Sequence, residues 1–406
     1  MKRILMIAAL LCPVILGAQD RTLRLDYIFS GTDKTQEIAL DEMAVHDGWA
    51  GRRVNMDTLL LRGNGQICMS EAASGKVLYK QSFSTLFQEW QTTEEATRVR
   101  KSFENVFLLP MPEQEVWIDV KLYGFKGDVS AEFRHKVRPD DILIRNLDNV
   151  AAPEYKYIHQ AGTVEDCIDV AIVAEGYTAA EKQLFYDDAQ AAVESFFHHE
   201  PFASNKAKIN FVAVALESEE SGVSVPGKGL WKRTALSSNF DTFYSDRYLT
   251  TLRMKKMHDA LTGVPFEHII ILANTDTYGG GGIYNLYMLT TAHHPGFKPV
   301  VVHEFGHSFA GLADEYYYDD MFVQYYYPGV EPWEPNVTTQ TDFASKWQDL
   351  VEAGKAGLYE GGGYQSKGVW RGAEDCRMKT NEAPAFCPVC ERAIQRMIDY
   401  HTIPLQ

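Results

Sequence analysis

The chain has 406 residues, 45% of them hydrophobic, which is the composition of a globular protein with about two or three domains. Its formal net charge is −16 and it contains no run rich in lysine and arginine, so nucleic acid is not an expected partner. Past the N-terminus every apolar run is shorter than the roughly 20 residues that a bilayer span needs, so we expect no membrane span.

The N-terminus has the pattern of an export signal. Lys2 and Arg3 precede an apolar run over residues 4–17, and the small residues Gly17 and Ala18 suit cleavage. We therefore predict a signal peptide over residues 1–18 and a periplasmic or extracellular mature protein. Of the six cysteines, all but Cys12 lie downstream, and export would permit disulfides among them.

Residues 19–147 have the pattern of a β-rich domain. Apolar side chains alternate with others along residues 23–29 and again along 116–122, as they do in half-buried strands. Gly63-Asn64-Gly65 lies between two apolar runs and predicts a hairpin turn, and Gly124 and Gly127 bracket a second one. We expect an all-β, sandwich-like accessory domain without a catalytic constellation, followed by a linker over residues 148–160.

From residue 161 onward the pattern changes to strands that alternate with helices. Short apolar runs predict strands over residues 168–174, 209–216 and 268–273, and longer stretches predict helices over residues 179–197 and 245–261. Thr178 and Glu181 have the spacing of a capping box at the start of the first helix. This order predicts an α/β layer within a catalytic domain over residues 161–406.

His303-Glu304-Phe305-Gly306-His307 is an H-E-x-x-H pentapeptide. On a helix, positions i and i+4 lie on one face, so both imidazoles can bind one ion. Glu304 follows the first of them directly and can reach a water molecule beside that ion. The pattern predicts a zinc peptidase in which His303 and His307 are ligands and Glu304 is the general base.

Two acidic residues compete for the third ligand position. Gly311 is placed to end the helix, so the chain would turn back toward the metal within a few residues. The spacing after that glycine favours Asp314, and Glu315 would then orient a histidine. Three protein ligands would leave one position open for water, as catalysis requires.

Several segments before and after the H-E-x-x-H helix have more than one interpretation. Residues 269–273, with the glycines at 279–282, predict either an exposed strand edge that could bind an extended peptide or a flexible loop. Cys376-Arg377-Met378-Lys379 has the position of a Met-turn beneath the metal. Tyr364 and Arg371 are candidates for a second oxyanion donor, without an assignment.

Cys387-Pro388-Val389-Cys390 also has more than one interpretation. A structural zinc site needs four ligands, and Cys376 is the only obvious additional thiol. A redox motif would need a thioredoxin-like context, which is absent. We therefore favour a disulfide from Cys376 to Cys387 or Cys390, which would attach the Met-turn to the final helix.

Taken in order, several motifs resemble those of the IgA-peptidase family of zinc metallopeptidases. They are EGYT at 175–178, FF at 196–197, EPF at 200–202, SG at 221–222, YGG at 278–280, HEFGHSFAGLADEY at 303–316, GVWR at 368–371, CRM at 376–378 and FCPVC at 386–390. The resemblance implies a zinc endopeptidase with a metzincin-like fold, in which His303, His307 and Asp314 bind the metal and Glu304 is the base. The β-rich region looks like the N-terminal module of some members.

The expected function is that of an exported zinc endopeptidase acting on protein or peptide substrates. The resemblance does not carry over immunoglobulin A as the substrate, because specificity lies in individual sites rather than in a fold. One alternative is a non-catalytic module that binds surface glycans or proteins on a zinc-peptidase scaffold. Another is a zinc amidase acting on cell-wall peptides. The intact Glu304 favours an enzyme, and the oligomeric state stays open.

Overall fold

The computed structural model describes residues 21–319 and 324–405. The signal peptide predicted over residues 1–18 lies outside these ranges and stays a prediction. Within the two ranges, no helix is both long enough and apolar enough to cross a membrane.

Two four-stranded sheets form the N-terminal region. In chain order the elements are β1 (Arg21–Gly31), β2 (Gln36–Asp47), β3 (Gly65–Glu71), β4 (Val77–Phe83), α1 (Leu86–Trp90), β5 (Lys101–Pro110), β6 (Val116–Tyr123), β7 (Val129–Val137) and β8 (Arg145–Asn146). One sheet has the order β5-β1-β2-β8 and the other the order β4-β3-β6-β7. Their inner faces share one apolar core, in which the rings of Phe29 and Phe83 stack with centroids 6.1 Å apart.

The two predicted hairpins in this region have different outcomes. Gly124 and Gly127 lie in the turn between β6 and β7, which pair antiparallel, so the second prediction is confirmed. The first is wrong, because β3 begins at Gly65 and residues 48–64 directly before it form no strand. The apolar residues before Gly63 instead pack against the second half of the chain, where Leu60 and Leu61 contact its core.

The second region is built around a six-stranded sheet. Its elements are β9 (Tyr155–His159), β10 (Ile168–Glu175), α2 (Lys182–Phe197), β11 (Ile209–Val214), α3 (Met254–Ala260), β12 (His268–Ala273), β13 (Gly280–Ile283), β14 (Tyr287–Thr291), α4 (Phe297–Ala310), α5 (Gln348–Glu352) and α6 (Pro388–Thr402). The strand order is β13-β14-β12-β10-β11-β9. The four inner strands are parallel, and the edge strands β13 and β9 are antiparallel to their neighbours.

A small fourth sheet follows α4. It consists of β15 (Tyr317–Tyr318), β16 (Val337–Thr338), β17 (Tyr359–Gly362) and β18 (Tyr364–Arg371). Strand β18 pairs with each of the other three, so this sheet is built around it.

The predicted strands and helices of this region are largely confirmed. The capping box is present, since the Thr178 amide donates to the Glu181 carboxylate over 2.8 Å. The helix predicted over residues 245–261 is wrong in its first half, because Tyr248 and Thr250 form β-bridges with Gly280 and Asn239 instead. The segment expected to be a linker contains β9, an edge strand of the central sheet.

The central sheet is buried on both faces, which explains its nearly continuous apolar strands. Helices α2, α4 and α6 pack on one face. The other face packs against α3 and shares one continuous core with the N-terminal sheets. The predicted combination of an N-terminal β domain and a mixed strand and helix region is therefore confirmed, whereas the metzincin-like assignment stays a prediction.

Candidate metal centre

Helix α4 carries the H-E-x-x-H residues, and its packing determines where they face. Val301, Val302, Phe305 and Phe309 are buried and hold the helix against the central sheet and its neighbours. Gly311 ends the helix in the left-handed conformation, with φ of +62°, and its amide donates to the His307 carbonyl. This is the cap that the sequence predicts, because a glycine adopts that conformation without a steric penalty.

The turn after Gly311 brings three predicted ligands together. The Nε2 atoms of His303 and His307 lie 3.1 Å apart. Asp314 Oδ1 lies 3.0 Å from His303 Nε2 and 3.2 Å from His307 Nε2. Two imidazole nitrogens and one carboxylate oxygen therefore converge on a single point, which is the donor set of a catalytic zinc site.

Backbone carbonyls orient both imidazoles. His303 Nδ1 lies 2.9 Å from the Arg377 carbonyl, and His307 Nδ1 lies 2.6 Å from the Leu312 carbonyl. A carbonyl only accepts, so each Nδ1 donates its proton there, and Nε2 of each ring is the atom left to face a metal ion. Second-sphere contacts of this kind are what a histidine metal ligand requires.

The charged groups around this point favour the binding of a cation. Burial opposes ionisation of Asp314, but the neighbouring His307 and His303 hold the pKa of its carboxyl well below its usual range. Burial alone would lower the pKa of His307, whereas the Asp314 carboxylate raises it to about 9. The carboxylate thus stabilises positive charge between the histidines, and the residues present fit a divalent metal ion.

Glu304 lies beside this cluster, between α4 and β13. Its carboxylate and the two imidazoles lie within 4.8 Å of one another. A Cβ atom on Gly280 would lie 2.8 Å from Glu304 Oε1, so the carboxyl group rests directly on the backbone of β13. Burial raises the pKa of Glu304, which brings it nearer to the range in which a carboxyl group can both accept and donate a proton.

Asp314 and Glu315 face opposite ways. The Tyr364 hydroxyl donates to Asp314 Oδ2 on the side away from the histidines. Glu315 Oε1 accepts from Asn336 Nδ2 over 3.0 Å and from Cys390 Sγ over 3.0 Å, and burial raises its pKa to about 8. Its predicted role of orienting a histidine is therefore wrong, because its carboxyl group faces the opposite side of the chain.

Met378 lies against helix α4 at Gly306, and its role in a Met-turn beneath the metal stays a prediction. The side chain is fully buried, and a Cβ atom on Gly306 would lie 2.9 Å from its sulfur. The Met378 carbonyl accepts from the Glu315 amide over 2.8 Å. The turn thus contacts both the helix of the first two ligands and the loop of the third.

The other candidates from the sequence have different positions. Tyr364 lies in the cleft beside Asp314. Arg371 does not, because its guanidinium donates to the Glu360 and Gly361 carbonyls. The predicted disulfide is absent, since all three sulfurs of the Cys376, Cys387 and Cys390 cluster are free thiols.

The cleft over the site has a volume of about 840 Å³ and is lined by both halves of the chain. Glu89 of α1 reaches it and accepts a hydrogen bond from the Tyr248 hydroxyl. Asn64 also lines it and accepts from Trp333 Nε1 over 2.8 Å. The sequence contained no signal for these N-terminal contributions, because they depend on how the two halves pack.

Comparison with known proteins identifies two matching regions. A family model described as IgA Peptidase M64 matches residues 157–356 and 352–398. A second, described as Peptidase M64 N-terminus, matches residues 17–134. No curated protein matches the chain.

Proposed function

The chain belongs to the IgA peptidase M64 family, and from this premise we propose that it is an exported, zinc-dependent endopeptidase that hydrolyses peptide bonds of protein substrates. The observation that carries the proposal is the convergence of His303 Nε2, His307 Nε2 and Asp314 Oδ1 beside Glu304 in an open cleft. His303, His307 and Asp314 would hold the metal. A zinc ion held in this way acidifies water and polarises a substrate carbonyl.

Glu304 supplies the proton transfers of the reaction. In this proposal its carboxylate accepts a proton from the attacking water and then donates it to the departing amine. Its burial and raised pKa support both roles, because a base that is too weakly basic cannot hold the proton between the two steps. The Gly280 backbone beneath the carboxyl group limits its movement.

The edge of β13 is the proposed docking strand for an extended peptide. Strand β12, which one of the two sequence interpretations placed at an exposed edge, lies inside the sheet. The glycine strand β13 is the end strand instead, and Tyr248 bridges its outer side at Gly280. Thr291 N donates to the Gly279 carbonyl, so the antiparallel register points the N–H and C=O of Gly282 away from β14. Gly282 lines the cleft, and its backbone groups could pair with a substrate strand.

Replacing Glu304 with Gln tests the proposed reaction. We expect hydrolysis of protein-derived peptides to fall by about 10²–10⁴-fold, because the amide cannot accept the proton, while the zinc content stays unchanged. Product formation by mass spectrometry and zinc by elemental analysis are the two measurements. Glu217→Gln changes an exposed glutamate away from the cleft and is the matched control.

The same assay separates the alternative functions. Peptides derived from proteins and fragments of cell wall are each incubated with the zinc-loaded chain, with and without a chelator. Full activity of Glu304→Gln would contradict the mechanism. Chelator-sensitive products from cell-wall fragments alone would favour the amidase, and no product from either pool would favour the binding module.

Export is the part of the proposal that rests on Lys2, Arg3 and the apolar run after them. We infer cleavage after Ala18 and a periplasmic or extracellular location. N-terminal sequencing of the mature protein is the direct measurement, and a protein that retains Met1 in the cytoplasm would contradict export.

A further inference from the structure

Four buried side chains converge beside the predicted Met-turn. They come from three separate segments: the loop after α4, the Met-turn and the start of α6. The four are Glu315, Cys376, Cys387 and Cys390. Their carboxylate and sulfur atoms all lie within 4.8 Å of one another.

The individual contacts indicate an incomplete environment for a carboxylate. Cys390 Sγ lies 3.0 Å from Glu315 Oε1, and Cys376 Sγ accepts from the Cys387 amide over 3.1 Å. Glu315 Oε2 is buried and has no hydrogen-bond partner. A buried polar atom without a partner is unfavourable, and three thiols beside this one offer a metal ion as the missing partner.

No lysine or arginine within the described ranges is paired with this carboxyl group. Neither lysine nor arginine forms an ion pair with Glu315 among residues 21–319 and 324–405, although its exposed fraction is 0%. A buried carboxyl group without such a pair is protonated or coordinates a metal. Three thiols beside the carboxylate make the second arrangement the chemically suitable one.

We propose that Cys376, Cys387, Cys390 and Glu315 bind a second zinc ion with a structural role. Soft thiolates with one carboxylate suit zinc, and four protein ligands close the site to water. Ligands at about 2.0–2.3 Å from a tetrahedral ion lie roughly 3.3–3.8 Å apart, which is within the observed spread. Each thiol loses its proton to solvent when the ion binds.

The position of this site gives it a function. Glu315 follows the predicted catalytic ligand Asp314 directly, and Cys376 precedes Met378 by two residues. The Arg377 carbonyl between them accepts from His303. A metal ion here would join the loop of the third ligand, the Met-turn and α6, and would therefore hold the catalytic residues in place.

A disulfide accounts for the same cysteines less completely. It would use two of the three sulfurs and leave the third beside an unpaired, buried Glu315 carboxylate. A zinc ion satisfies all four groups at once. In the sequence only Cys376 was an obvious additional thiol for zinc, and Glu315 supplies a fourth ligand only after the chain has folded.

Metal content of the purified full-length chain tests the proposal. We expect about two zinc ions per chain in the unaltered protein, one in the His303→Ala/His307→Ala variant and one in Cys390→Ser. The double histidine variant removes the proposed catalytic ion, so failure of the proposed function and failure of this proposal give different results. Cys68→Ser, which alters a cysteine of β3 outside the cluster, is the control and should retain both ions.

Two further measurements, which do not use Cys390→Ser, keep the test valid if that variant fails to fold. After replacement of zinc by cobalt, thiolate coordination produces charge-transfer absorption in the near ultraviolet, which should persist in the double histidine variant. Intact mass without reductant should correspond to free thiols. A mass lighter by the two hydrogens of a disulfide, no cobalt–thiolate absorption, or a single zinc ion that the double histidine variant loses would each overturn the proposal.

Discussion

The neighbouring residues Asp314 and Glu315 have different surroundings at the candidate metal centre. Asp314 faces the histidines, and Glu315 faces the cysteine cluster. Asn336 is fully buried and holds the loop just before these two residues. Its side chain accepts from the Ala313 amide and donates to the Ala313 carbonyl. A single buried amide thus helps to determine which carboxyl group reaches the histidines.

Tyr364 is the residue that we expect to position Asp314. Its hydroxyl donates to Asp314 Oδ2, and the preceding Gly363 amide donates to the Asp314 carbonyl over 2.7 Å. Tyr364→Phe removes the hydroxyl contact alone. The affinity for zinc at this site should fall by about 10–100-fold, as is common when a group that orients a metal ligand is lost.

Competition with a chromophoric chelator measures that affinity. Tyr359→Phe changes a partly exposed tyrosine of β17 and serves as the control. Equal zinc affinity in Tyr364→Phe and the unaltered chain would contradict the positioning role.

Helix α4 lies close to β13 and to Met378 because three positions in these elements are glycine. A Cβ atom on Gly282 would lie 2.2 Å from the Glu304 carbonyl, and one on Gly280 would meet the Glu304 carboxyl group. Gly306 allows Met378 to approach α4 from the other side. Helix α4 can therefore lie against both β13 and the Met-turn only because these positions lack side chains.

Strand β10 carries a buried acid that should make stability depend on pH. Asp169 has an exposed fraction of 0%; its Oδ1 accepts from Asn210 Nδ2 and its Oδ2 has no partner. Burial raises its pKa from 3.8 to about 7. The folded state therefore prefers the protonated acid, so this contribution to stability is complete below the unfolded pKa and is lost as the pH rises through about 7.

Asp169→Asn should reduce that pH dependence, because the amide stays neutral and can still accept from Asn210. Thermal unfolding at about pH 5 and about pH 8.5 gives the comparison, and the loss of Tm between them should be smaller in the variant. Asp57→Asn, which changes an exposed aspartate, should leave the loss unchanged. An identical loss in Asp169→Asn would show that this carboxyl group does not titrate in that range.

The two halves of the whole molecule share one core and one cleft. Arg24 of β1 is buried, binds Asp26 over 2.7 Å and reaches Asp259 of α3 over 2.6 Å. The apolar core of the N-terminal sheets continues onto one face of the central sheet. The N-terminal region therefore contributes a wall of the cleft beside Glu304.

Phe125 is the residue of that wall most open to a substrate. It lies in the turn between β6 and β7, is 40% exposed and has its ring centroid 5.8 Å from that of Tyr325. Phe125→Ala should raise KM for peptide substrates by about 2- to 10-fold, which corresponds to the loss of one aromatic contact. The effect on kcat should be small, because Phe125 does not contact Glu304 or the candidate ligands.

Steady-state kinetics with a peptide found in the first assay gives both constants. Ile142→Ala, at a position that is 94% exposed and outside the cleft, should change neither. An unaltered KM in Phe125→Ala would exclude this wall from substrate binding.

By itself the sequence determined the features that depend on near neighbours in the chain. The helix of His303 and His307, its end at Gly311, the capping box at Thr178 and most strands follow from periodicity and turn chemistry within a few residues. The order of motifs also sufficed to indicate the family.

Only the tertiary structure decided the features that join distant segments. It placed Asp314 rather than Glu315 beside the histidines, and it brought Glu315 to cysteines that lie 61 to 75 residues further along the chain. It also directed the apolar residues before Gly63 to the other half of the molecule, and it began the helix predicted over 245–261 only at Met254. Such contacts depend on which buried surfaces fit together, and a local pattern of side chains carries no information about a partner that far away.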